Sequence, residues 1–160
     1  MTNLINHNFN HLKYAVTTHT SAQTTSDLAE TFTTISGSEC DSYAVQGTHA
    51  VYTFNFSAYK SGVSIGVIKL EYADVGSSSY SEVDSLNRRN IGNAGSSSQF
   101  NRWALRYSWI VPSWTGAKKF RVQIGHPSTN QALTCHALDV WDGASTSTEF
   151  YSSSYYIYSI

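Results

Sequence analysis

Apolar side chains recur at every second residue along much of this chain, and almost nowhere at every third or fourth. In residues 49–58, Tyr52, Phe54 and Phe56 alternate with Val51, Thr53 and Asn55. Successive side chains of an extended backbone point to opposite faces, so the three aromatics share one side. Residues 63–72, VSIGVIKLEY, begin apolar on both faces and end with Ile68, Leu70 and Tyr72 against Lys69 and Glu71. That pattern predicts a strand covered on both faces at its start and half exposed at its end. Residues 100–111 alternate most cleanly. Trp103, Leu105, Tyr107, Trp109 and Val111 share one face, and Arg102, Ala104, Arg106, Ser108 and Ile110 the other. In residues 119–124, Phe120, Val122 and Ile124 oppose Lys119, Arg121 and Gln123. Residues 131–141, QALTCHALDVW, are read as one further strand, and the Tyr-rich stretch 149–159 as another. Weaker strands are expected near 12–18, 30–35 and 43–46, with a short one at 80–83. No window of a dozen residues combines helical spacing with capping residues.

The separators are turn formers: Ser-Gly at 61–62, Trp-Thr-Gly at 114–116, His-Pro-Ser at 126–128 and Asp-Gly at 142–143. This spacing predicts a single all-β domain over residues 1–160, an antiparallel β-sandwich of jelly-roll type with about eight to ten strands. The alternation assigns Tyr52, Phe54, Phe56, Leu70, Leu105, Phe120, Val122, Ile124, Leu138 and Val140 to the core, with Trp103 and Trp109 on the same apolar face. Residues 73–99, rich in Ser, Gly and Asn, read as a long polar loop around Arg88-Arg89. Loops of that length are usually functional.

Composition narrows the function classes. Lys plus Arg is 10 and Asp plus Glu 11, a net charge of -1, which gives no basic field for a nucleic-acid backbone. Ser and Thr together number 41 of 160 residues, so the polar surface is hydroxyl rather than charge. No apolar run approaches the ~20 residues of a membrane helix. The opening MTNLINHNFNHLKYAV has no basic stretch followed by an apolar one, and the chain is expected to carry no secretory signal. Cys40 and Cys135 are therefore expected as free, buried thiols. There is no Gly-rich phosphate loop, no G-x-S-x-G and no H-E-x-x-H. His7 and His11 are four apart, but nothing else marks that stretch as a helix that would turn them to one face, so no metal pair is expected. A non-enzymatic role is expected.

The order of elements resembles carbohydrate-binding modules with the galactose-binding jelly-roll fold. The opening NLINHNF at 3–9 is similar to the start of those modules. It is followed by the 35–46 stretch, YTFNFSAYKSG at 52–62, the Trp-rich strand ending at Val111-Pro112, FRVQIG at 120–125 and a closing LDVWDG at 138–143. The resemblance spans residues 3–143 and leaves 144–160 as an added strand or assembly arm. It implies glycan recognition and a structural calcium held near the first and last strands. Of the family's two carboxylates only Asp139 is present, because Asn10 stands where the first would be. Asp139 is thus a candidate calcium ligand or a partner of turn amides.

Sugar sites pair flat aromatic faces with planar polar side chains. Trp114 lies in a turn after Pro112 and is the aromatic least explained by core packing. Arg102, Arg106, Lys69, Glu71, Arg121 and Gln123 read as a polar stripe across three strands: a glycan cleft, a subunit interface or an ordinary solvated face. The candidate glycan- or partner-binding residues are Trp114, Arg102, Arg106, Gln123, Arg88 and Arg89. The composition of a Ser/Thr/Tyr-rich β module without a signal resembles bacteriophage virion proteins. It leads to an expected place in the virion as a fibre tip, knob or capsid-decoration component. Expected partners are other virion proteins or further copies of the chain, and host surface glycans, with no nucleic acid and no membrane. The alternative is a soluble carbohydrate-binding module or small lectin.

Overall fold

The computed structural model describes residues 11–26, 28–45, 47–61, 64–83, 89–93, 100–126, 132–141 and 143–160. Side chains are described for these except 60, 61, 64, 65, 89–93, 100–103, 138–141 and 146. The strands are β1 (Lys13–Thr17), β2 (Gln23–Thr24), β3 (Thr33–Thr34), β4 (Cys40–Ala44), β5 (His49–Ser61), β6 (Ser64–Asp74) and β7 (Ser81–Glu82). They continue as β8 (Arg89–Asn93), β9 (Phe100–Pro112), β10 (Ala117–Gly125), β11 (Thr134–Cys135), β12 (Ala137–Trp141), β13 (Thr146–Phe150) and β14 (Ser153–Ser159).

Eight of these make the sandwich. In the first sheet β1 pairs with β14, β14 with β5 and β5 with β9. In the second, β4 pairs with β10, β10 with β6 and β6 with β8. Numbered by their own order, the eight run 1-8-3-6 and 2-7-4-5, which is the jelly-roll arrangement of two interlocked Greek keys. The short strands extend these sheets. β3 and β4 share one edge of β10, and β7 and β8 share the outer edge of β6. β12 and β13 form a separate hairpin.

Alternation explains the core. From β5, Tyr52, Phe54 and Phe56 face inward with Trp109, Tyr155 and Ile157 of their neighbours. They meet Ile68, Leu70, Phe120, Val122 and Ile124 of the second sheet. The fully buried Tyr52 ring touches Tyr155, Phe120 and Trp109, at centroid distances of 5.8, 5.9 and 6.3 Å, and its hydroxyl donates to the Ser38 carbonyl. Leu105 is only half-buried at the rim of this cluster. Leu138, Val140 and Trp103, also assigned to the core, have side chains outside the described residues.

Three expectations about elements need correction. Residues 131–141 are not one strand. His136 takes φ +66°, a left-handed conformation that ends β11 beside β5 and starts β12 in a different sheet. The expected loop 73–99 holds β8 as well as β7, which falls within the short strand expected at 80–83; the polar stretch of β8 carries no apolar alternation. The stretch 149–159 is also two elements: Phe150 closes β13, and β14 begins at Ser153 between β1 and β5. Both cysteines are free and buried.

Candidate functional site

The outward face of the first sheet carries the site. Where β14 leaves β5, at the pairing of Ser154 with Asn55, β11 has not yet begun; it joins the same edge only at Ala58. Over Phe56 and Ser57 no strand among the described residues pairs with that edge. The chain fills the backbone there with single bonds: His136 N–H donates to the Ser57 carbonyl at 2.9 Å, and Tyr151 N–H to the His136 carbonyl at 2.8 Å. Above this break lies an open groove of about 300 Å³, with a floor of Asn55 and Ser57 and walls of Ala104 and Arg106 on one side and Tyr151 and Ser152 on the other. Its size is at the lower end of small-ligand sites, ~300–1,000 Å³.

Register sets the walls. Ser57 stands opposite Ala104 and Asn55 opposite Arg106. The methyl of Ala104 leaves space where a larger side chain would close the groove. Arg106 reaches across β5 to β14. Its guanidinium lies 5.6 Å from the centre of the Tyr156 ring and donates to the Tyr156 hydroxyl. Beneath this bridge Thr53 is buried although it faces outward, and its hydroxyl meets Ser108 Oγ at 2.7 Å. Asn55 donates to Ser154 Oγ at 3.1 Å. The Ser57 hydroxyl is buried and has no hydrogen-bond partner among the described residues. A buried hydroxyl left unpaired is costly, so one lining a groove is suited to a ligand or water oxygen.

The same face continues with aromatics. Tyr156 and Tyr158 stack along β14 at 6.2 Å between centroids, and Tyr14 of β1, opposite Tyr156, is 68% exposed.

The sequence-predicted site residues do not converge. Arg106 is in the groove, whereas Gln123 lies on the outward face of the second sheet, on the opposite side of the sandwich. The expected stripe is therefore two surfaces. On the second, the Glu71 carboxylate is held by Lys69 at 2.6 Å and by Arg121 at 2.8 and 2.9 Å. With its amide nitrogen toward Glu71, Gln123 donates to both carboxylate oxygens at 3.1 and 3.2 Å. Phe32 lies 4.1 Å from Lys69 Nζ, and Tyr80 lies 3.7 Å from the Arg121 guanidinium. These rings cover the cluster, which is a satisfied internal network rather than a cleft. Trp114 is partly buried, its ring 5.3 Å from Phe120 and 6.4 Å from Tyr43, so it packs on the core rather than standing as a free platform. Tyr72 likewise packs against the core. Arg88 lies outside the described residues, as do the side chains of Arg89, Arg102 and Asp139. Among the described residues no three His, Cys, Asp or Glu side chains gather as a metal site.

Asn55 and Ser57 were not singled out from sequence, and Tyr151 and Tyr156 stood out only as part of the Tyr-rich stretch expected to complete the sandwich or pack on a neighbouring subunit, not as groove residues. Tyr156 alternates with Tyr155 and Ile157, so its outward direction was readable. The groove was not, because it arises from where two distant segments meet β5. No protein-family model and no curated protein matches this chain.

Proposed function

We propose that this chain is a non-enzymatic attachment module that binds a glycan on the outward face of its first sheet. In our reading it is displayed on a bacteriophage particle as a fibre tip, knob or capsid-decoration component. The observation that carries the binding reading is the groove over the break in β5. It combines an unpaired buried hydroxyl, a carboxamide and a guanidinium, beside a face of outward tyrosines. Its described lining residues include no carboxylate or imidazole to serve as general acid or base, which favours binding over chemistry. The fold supports the setting by analogy, since jelly rolls serve both as viral capsid domains and as lectins.

Two measurements test the two halves. Retention of the chain on immobilised polysaccharides, with Tyr156→Ala expected to weaken it at least several-fold, tests binding; no retention on any polysaccharide refutes it. Mass spectrometry of purified particles tests the setting. A chain that binds glycans but is missing from particles is the soluble module or lectin instead.

A further inference from the structure

On the reading that the groove takes a glycan, we propose that its ligand is an acidic saccharide, with a ring carboxylate on the Arg106 guanidinium and ring hydroxyls on Asn55 and Ser57. Among the described residues, Arg106 is the one charged member of the lining. Its contacts, the Tyr156 hydroxyl and ring, orient the guanidinium without neutralising it. A guanidinium has five donors in a planar fork, so the bond to Tyr156 leaves donors for a carboxylate, which it can meet through two parallel bonds.

The floor supplies the rest. The unpaired Ser57 hydroxyl can both donate and accept. Asn55 uses its amide nitrogen on Ser154 and keeps its carbonyl oxygen as an acceptor. Vicinal ring hydroxyls match that mixture. An acidic peptide would bring the charge but present methylenes where these groups need hydroxyls. Orientation follows from the opposite wall, where Tyr151 donates to the Glu149 carboxylate at 2.7 Å. Glu149 is not part of the lining, but its charge on that side directs a ligand's carboxylate toward Arg106.

Polygalacturonate and its methyl ester share one backbone and differ in charge, so they isolate the proposed contact. The full chain should bind the free acid at least about tenfold more tightly than the ester, and added salt should shrink that preference. Arg106→Gln should weaken binding of the free acid far more than that of the ester and so abolish the preference, with the unfolding midpoint measured alongside to confirm that the variant is folded. Ser57→Ala should weaken both ligands several-fold without altering their ratio. Equal binding of acid and ester overturns the acidic assignment and leaves the glycan reading standing. Binding of neither, nor of any other polysaccharide, overturns both. Poly-L-glutamate bound as tightly as polygalacturonate replaces the saccharide with an acidic peptide.

Discussion

His19 and His136 face each other at 3.7 Å with ring planes 6° apart, an arrangement two charged imidazoliums would resist. The Ser153 hydroxyl donates to the Ser36 carbonyl at 3.4 Å and so accepts from His19 Nε2 at 2.8 Å. Both imidazole nitrogens of His136 are buried, neither within good hydrogen-bond geometry of a partner among the described residues, and Phe56 meets its ring edge-on. Burial, then the neighbouring His19, pushes His136 down to about 4, with the Ser36 backbone acting weakly the other way; burial also lowers His19. Between pH 6.5 and about 4 the unfolded chain therefore binds a proton at His136 that the folded chain does not. Stability is full above that window and falls as pH drops through it. His136→Asn tolerates the left-handed backbone and removes the titration. Its unfolding free energy should vary less between pH 6.5 and 4 than that of the wild type; an unchanged slope rules out this origin. The core residues act more simply. Phe120→Ala empties a site between Tyr52 and Trp114 and should cost ~3–5 kcal/mol by denaturant unfolding.

Alternation along each element was enough to say which residues turn inward: Tyr52, Phe54 and Phe56 of β5 and Phe120, Val122 and Ile124 of β10 are buried as their period requires. It could not say which outside a residue faces. A sandwich has two outer surfaces, and Arg106 on β9 has the same polar-out signature as Gln123 on β10, although the two lie on opposite sides. Nor could it show that Trp114, placed in a turn, folds back onto Phe120, or that Ser57 lies under a gap between β14 and β11. Both depend on pairing between segments far apart in the chain. The polar cluster on the second sheet gives this scale its prediction. Glu71→Leu leaves Lys69 and Arg121 facing each other with no carboxylate, 13% and 27% exposed respectively. It should cost roughly 2–4 kcal/mol, below the ~3–5 kcal/mol of a fully buried pair because Arg121 keeps some water. A loss under about 0.5 kcal/mol, the size of ordinary surface substitutions, would mean that the network is decorative.

The order of strands makes the end of the chain central to the molecule. β14 lies between β1 and β5, and among the described residues β1 has no other strand to pair with. Ile160 closes the sheet: its N–H donates to the His49 carbonyl at 2.9 Å, and its carbonyl accepts from the amides of Thr48 and His49 at 3.1 and 3.2 Å. Tyr155 and Ile157 bring buried side chains from this strand into the core. The first sheet is thus incomplete until the last residues arrive, and its pairings are non-local, which predicts folding in the millisecond-to-second range of β-sandwiches. Removing residues 151–160 should take away more than a terminal strand. β1 loses its only pairing partner, one edge of β5 opens over residues 50–55, and the core loses Tyr155 and Ile157. The truncated chain should show no cooperative unfolding transition, bind a dye for exposed apolar surface and aggregate through the opened edge of β5. A synthetic peptide of residues 151–160, added during refolding, should restore the β spectrum and the transition by adding the missing strand to that edge. A truncated chain that remains monomeric and unfolds cooperatively at the full-length midpoint would show that β14 is a peripheral arm, and the 1-8-3-6 order of the first sheet would have to be abandoned.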